Sequence, residues 1–147
     1  MHLLDNKKAG FKYELVRTLE AGIELFGFEV KSLRNKQGTL DGAYAIVRGG
    51  EVFLVNAYIP PYQPKNTPKD YDSRRNRKLL LTKSEIAELA GIEIRKGLTI
   101  VPVSVYSKGR KVKVGLALAR GKKKHDKRET LKRRDAERDI MRSLKNQ

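Results

Sequence analysis

Few residues in this chain could make or break bonds. There are two histidines, His2 and His125, and no cysteine. No carboxylate pair stands at ligand spacing around either histidine, so no metal is expected, and the absence of cysteine excludes thiolate sites and disulfides. His125 and Asp126 are sequence neighbours, the wrong relationship for a nucleophile, base and orienting acid. Residues 115–123 superficially resemble a phosphate loop. However, five residues rather than four separate Gly115 from Gly121, and Lys123 stands where Ser or Thr should bind magnesium. The same stretch alternates like a strand. The sequence therefore predicts no catalytic residues, no nucleotide site, no cofactor and no enzyme activity.

Cations are what the chain has in excess. Lys and Arg number 33 against 17 acids, a net charge of +16. From Arg120 to the end there are twelve cations and five acids, which leaves +9 on the residues before it. Body and tail thus both favour a polyanion, and counterion release rewards many lysines and arginines together. The clusters are Lys7 with Lys8, Lys31 with Arg34, residues 74–78, Lys111 with Lys113, and Lys122, Lys123 and Lys124 followed by Lys127 and Arg128. A charge run can be a merely solvated face. The spread of these clusters along the whole chain favours nucleic acid. There are ten Tyr and Phe and no Trp, and most lie in alternating segments where core packing is expected. Tyr44, Tyr62 and Tyr71 are the exceptions. Such a surface suits the shape and backbone of structured RNA better than the reading of bases.

The elements that must carry these clusters are short strands. Phe11, Tyr13 and Leu15 alternate with polar neighbours, and Ile23 and Leu25 do so again after Ala21-Gly22, predicting two strand pieces. Val30 and Leu33 stand three apart, predicting one or two helical turns over residues 27–34. Residues 44–48 and 52–55 flank Gly49-Gly50, the signature of a two-residue hairpin turn. Residues 60–78 hold four of the five prolines and predict a long irregular loop, mobile or functional. Thr82 with Glu85 reads as a capping box, Leu81 and Ile86 as its hydrophobic staple, and Gly91 as the C-cap of the helix. Residues 98–106 predict a buried strand and residues 107–109 a turn. Beyond it Val112, Val114, Leu116 and Leu118 form an apolar face. The opposite face runs from Lys111 and Lys113 to Gly115, Ala117 and Ala119, small enough for a partner to approach closely. Six antiparallel strands in one small domain must hide their edges. The expected fold is mainly β: a six-stranded antiparallel Greek-key barrel of the oligonucleotide-binding (OB) type over residues 1–120, with two short helices. A two-layer α+β sheet is the alternative. Residues 121–147 read as a basic tail, disordered alone and helical in a polyanionic groove. The N-terminus has no signal-peptide pattern, and no apolar run approaches the roughly 20 residues of a membrane span. A cytoplasmic monomer is expected.

Several stretches together resemble one family. They are Asn6-Lys7-Lys8-Ala9, Glu20-Ala21-Gly22-Ile23, Gly27-Phe28-Glu29-Val30-Lys31-Ser32-Leu33-Arg34, Glu51-Val52-Phe53-Leu54, Arg77-Lys78-Leu79-Leu80-Leu81 and Arg120-Gly121-Lys122-Lys123-Lys124-His125-Asp126-Lys127-Arg128. In that order they resemble the small protein B (SmpB) family of SsrA/tmRNA-binding proteins. The resemblance implies an OB-type barrel that binds the tRNA-like domain of tmRNA (SsrA RNA). It also implies delivery of that RNA to stalled ribosomes for trans-translation, without catalysis. By position it implies tmRNA contacts at Asn6, Glu20, Arg34, Leu80 and Lys111, joined on charge by Lys7, Lys8, Lys31 and Lys113. It places Lys122, Lys123, Lys124, His125, Asp126, Lys127 and Arg128 at the small-subunit decoding centre and mRNA channel. Glu20 has the wrong charge for phosphate and is expected to accept from a base edge, a 2′-hydroxyl or a nearby cation. A generic structured-RNA or ribosome-associated binder is the alternative. A membrane-surface or acidic-partner binder is disfavoured by the thin apolar face of the tail.

Overall fold

A computed structural model describes residues 2–93 and 98–121. The element order is β1 (His2–Asp5), α1 (Ala9–Lys12), β2 (Tyr13–Ile23), α2 (Gly27–Arg34), β3 (Tyr44–Arg48) and β4 (Glu51–Val55). A 3-10 turn (Pro64–Asn66) follows, then β5 (Arg77–Leu80), α3 (Lys83–Glu93), β6 (Leu98–Lys108) and β7 (Lys111–Gly121). Every strand pairing is antiparallel.

The sheet closes on itself. Following the pairings gives the ring β6-β3-β4-β5-β2-β7, and β7 returns to β6. Six strands thus form the expected barrel, and closure removes the open edges that a flat sheet would expose. The meander β3-β4-β5 with β2 lying beside β5 is the Greek-key connection. β1 is a seventh strand outside the ring, paired to β6 at Ser104–Tyr106 just past the single β3 contact at Ile100. Four residues around Asp5 were too few to read as a strand from sequence.

The interior is filled as the alternation predicts. Val112, Val114, Leu116 and Leu118 from β7 meet Leu54, Leu79, Leu89 and Ile100 in one cluster. Gly49 and Gly50 both adopt positive φ in the β3–β4 turn, as a two-residue hairpin of this twist requires. Thr82 and Glu85 form the reciprocal capping box: the Thr82 N–H donates to Glu85 Oε1 at 3.0 Å and the Glu85 N–H to Thr82 Oγ1 at 3.2 Å. Leu81 and Ile86 pack on the core beside it.

Several expectations need correction. β2 is one strand of 11 residues and not two pieces. Pairing with β7 continues without a shift through Ala21-Gly22, where the break was expected, and the strand's bulge lies earlier, between Leu15 and Arg17, while Phe11 belongs to α1 and not to the strand. There are three α-helices among the described residues rather than two, because Ala9–Lys12 forms a single turn. α3 runs through Gly91 to Glu93, so Gly91 is not its cap. Strand β6 extends to Lys108, and the turn is Gly109-Arg110. Finally, β5 begins at Arg77, inside the segment expected to be loop.

Candidate RNA-binding face

The long loop is organised from beneath by one carboxylate. Glu29 on α2 is fully buried, and so is Arg77 at the start of β5. Arg77 Nε donates to Glu29 Oε2 at 2.8 Å, and Arg75 Nη2 donates to Oε1 at 2.6 Å. The Phe26 N–H donates to the same Oε1 at 2.8 Å. The Tyr71 hydroxyl lies 2.8 Å from both Glu29 Oε2 and the Ile59 carbonyl. Arg77 also donates to the carbonyls of Ala57 and Ser73, at 2.8 and 3.0 Å. Burial pushes the Glu29 carboxyl up, but the Arg75 and Phe26 hydrogen bonds and the Arg77 charge outweigh it and hold it below its ordinary value. Burial and the Glu29 bond push the Tyr71 phenol up to about 12.

This network revises two expectations. Residues 60–76 are irregular as expected apart from the Pro64–Asn66 turn, but Tyr71 and the Ser73 carbonyl tie them to the body instead of leaving them loose. The cations at 74–78 are also largely committed to the protein itself. Arg75 and Arg77 serve Glu29, Lys78 pairs with Glu51 at 3.0 Å, and Arg74 lies over the Tyr58 ring at 5.2 Å. Tyr71 belongs to the same network and is not an exposed aromatic, whereas Tyr44 and Tyr62 are exposed.

The small residues of β7 are not an open landing place either. Ala117 and Ala119 are buried with Val101 on the outer side of the barrel, against Tyr13 and Val103. α1 packs against β2 and β6 there. Asn6 fastens this N-terminal strap. Its N–H donates to Val103 O at 2.8 Å and its side-chain amide to Pro102 O at 2.9 Å. These carbonyls are accessible because β6 bulges between Pro102 and Ser104. What approaches the alanines closely is therefore the chain itself, through Val101, Val103 and Tyr13.

The other predicted binding residues divide by location. Glu20, Leu80, Lys111, Lys113 and Arg34 gather around the β6–β7 hairpin, although they span 94 positions of sequence. Gly22 pairs in register with both Leu80 and Lys113. A side chain on Gly22 would meet Leu80 Cβ at 3.1 Å, so the glycine lets Leu80 lie across β2. Leu80 is 48% exposed and therefore not core. Lys111 faces Lys108 at the hairpin end, and Arg34 Nη2 donates to Arg110 O at 3.3 Å. Lys7 and Lys8 lie on the strap, where Lys8 is 3.7 Å from Asp41. Lys31, three residues before Arg34 on α2, stands over the Tyr62 ring at 6.0 Å.

Two residues of this face escaped the sequence reading. The Tyr106 hydroxyl donates to Glu20 Oε2, and Lys108 Nζ donates to Glu20 Oε1 at 3.2 Å. The Tyr106 bond, then that of Lys108, holds the Glu20 carboxyl below its ordinary value. Burial and the Glu20 bond raise the Tyr106 phenol to about 12. Alternation alone puts Tyr106 on the same side as Lys108, but only the three-strand register brings both to Glu20. The residues Lys122, Lys123, Lys124, His125, Asp126, Lys127 and Arg128 lie outside the described residues. The described residues contain no cluster of side chains suited to a metal and no helix long and apolar enough to cross a membrane.

A closed OB-type barrel with a cationic hairpin face and a strapped N-terminus is the class of protein that fold and site define. Comparison with known proteins gives the family. The SmpB protein family model matches residues 3–146, and the chain belongs to that family. An SsrA-binding protein of Gloeothece citriformis is 51% identical over 97% of this chain and 92% of its own length. One from Clostridium acetobutylicum is 49% identical over 98% of this chain and 92% of its own. A solved chain from "tmRNA-SmpB: a journey to the center of the bacterial ribosome" superposes with a TM-score of 0.70. It is 44% identical and matches over 89% of this chain and 95% of that one.

Proposed function

We propose that this chain binds the tRNA-like domain of tmRNA and delivers it to stalled ribosomes for trans-translation, acting in the cytoplasm as a monomer that catalyses no step. The observation that carries the reading is the convergence of Glu20, Arg34, Leu80, Lys111 and Lys113, distant in sequence, at one hairpin of the barrel. Arg34, Lys111 and Lys113 suit phosphates of a folded RNA, and Leu80 offers an apolar contact to a ribose or base. Asn6 contributes by setting the strap that carries Lys7 and Lys8. Lys31 extends the basic surface beside Tyr62. Lys122, Lys123, Lys124, His125, Asp126, Lys127 and Arg128 belong to the second half of the task, at the decoding centre and mRNA channel. In this reading residues 121–147 are disordered alone and become helical when that channel neutralises their charge.

The test separates the two halves. β7 ends at Gly121, so a chain stopped after that residue keeps all seven strands. It is expected to bind a tRNA-like-domain RNA within about threefold of the full chain, a cost under about 1 kcal/mol, while tagging on ribosomes stalled at a message end is lost. Binding that collapses with the tail, or ordinary tRNA competing equally at every salt concentration, would support a generic RNA binder instead.

A further inference from the structure

Glu20 poses a problem for a phosphate-binding face: it is an acid among cations. Its two oxygens already have partners, Tyr106 and Lys108, both on β6. Strand β7 lies between β2 and β6, so these bonds must pass over it. The residue they pass over is Gly115, paired in register with Glu20 on one side and Ser104 on the other. A Cβ at Gly115 would lie 3.2 Å from Ser104 Oγ and 3.7 Å from Tyr106 Cε1. The glycine therefore opens the trough through which the Tyr106 ring reaches Glu20. Lys113 is paired in register with Tyr106, and Lys111 with Lys108. Arg110 forms the tip, braced by Arg34. Like charges crowded on facing strands repel. A carboxylate in contact with one of them offsets that repulsion and limits its rotamers.

We infer that Glu20 does not touch RNA but is the positioning residue of a phosphate-binding promontory, holding Tyr106 and Lys108 across Gly115 so that Lys108, Lys111 and Lys113 stand at fixed spacing before RNA arrives. The inference rests on the tRNA-like-domain reading above and adds Tyr106 and Lys108 to its binding surface. Fixing the donors in advance removes part of the ordering cost of association.

The test uses the full chain with Glu20→Gln, Tyr106→Phe, their double variant, Lys108→Arg and Lys108→Gln, each titrated against tRNA-like-domain RNA across a salt series. Simple charge counting predicts that removing an acid from a basic face tightens binding. Positioning predicts the reverse: Glu20→Gln weakens binding about tenfold and Tyr106→Phe by a smaller factor. The double variant is then no weaker than Glu20→Gln alone, because both changes break one unit. Lys108→Arg keeps wild-type affinity and Lys108→Gln does not, which tests the promontory even if a Glu20 variant misfolds. Phenol titration read beside the thermal midpoint separates positioning from a general loss of stability: in Glu20→Gln the Tyr106 phenol, raised by burial and the Glu20 bond, titrates lower than in wild type while the midpoint at neutral pH is unchanged. Equal or tighter binding by Glu20→Gln, or losses that simply multiply in the double variant, would overturn the inference. If wild type binds ordinary tRNA as well as the tRNA-like RNA, the proposed function fails, and the Glu20–Tyr106 coupling is then read on either RNA.

Discussion

Glu29 and Glu20 are both acids in contact with cations, and their surroundings give them different tasks. Glu29 is sealed inside with Arg77, and the pair organises a long connection. Removing one partner of such a buried pair leaves an uncompensated charge, so Glu29→Gln is expected to cost about 3 kcal/mol or more, measured by urea unfolding. A loss below about 0.5 kcal/mol would mean that the loop does not depend on it. The sign of the pH dependence follows from the lowered carboxyl of Glu29. Its contribution is fully present above the unfolded value near pH 4.3 and is lost as pH falls through the lower folded value. The acid limb of the stability profile should therefore flatten in Glu29→Gln. Sequence offered Glu29 only as one residue of a short helix. Nothing in its spacing announces that residues nearly fifty positions later will close over it.

At the scale of elements, the end of α2 shows how local chemistry and observed geometry can part. The first glycine after the helix is Gly38. The left-handed position is instead Lys36, with φ 58. The Lys36 N–H donates to Leu33 O at 2.8 Å and the Gln37 N–H to Ser32 O at 3.0 Å, the paired bonds of a Schellman cap. Gly38 is needed for a different reason: at φ 124 a Cβ would lie 2.6 Å from Tyr58 O, beside the Thr39–Tyr58 bridge. Lys36→Gly is accordingly expected to stabilise the fold by up to about 1 kcal/mol by relieving the left-handed strain of a residue with a Cβ. A thermal midpoint that falls instead would refute this. The capping box at Thr82 and the Gly49-Gly50 hairpin were legible because each is decided within four residues of chain. The bulges in β2 and β6 were not, since a bulge is defined only against the strand beside it.

At the scale of the whole molecule, net charge overstates what RNA can use. Residues before Arg120 carry 21 cations, yet Lys8, Arg17, Arg75, Arg77 and Lys78 have carboxylate partners within the fold. The hairpin face presents Arg34, Arg110, Lys111 and Lys113, together with Lys108, which Glu20 holds beside them. About five phosphate contacts give a salt slope near −4 for residues 1–121 on tRNA-like RNA. A slope near −6 would instead mean that Lys7, Lys8 and Lys31 contribute in full. Composition and alternation determined that this chain is a small, mainly β, polycationic body with a basic tail, because hydrophobic period and charge are properties of residues taken singly or in short runs. They also carried the likeness to the SmpB family. Tertiary structure alone decided which cations remain available, since pairing depends on residues tens of positions apart. It decided that Ala117 and Ala119 are buried against Val101, Val103 and Tyr13. It also decided that an acid belongs on the basic face, because only the closed register of β2, β7 and β6 lets Tyr106 reach Glu20 across Gly115.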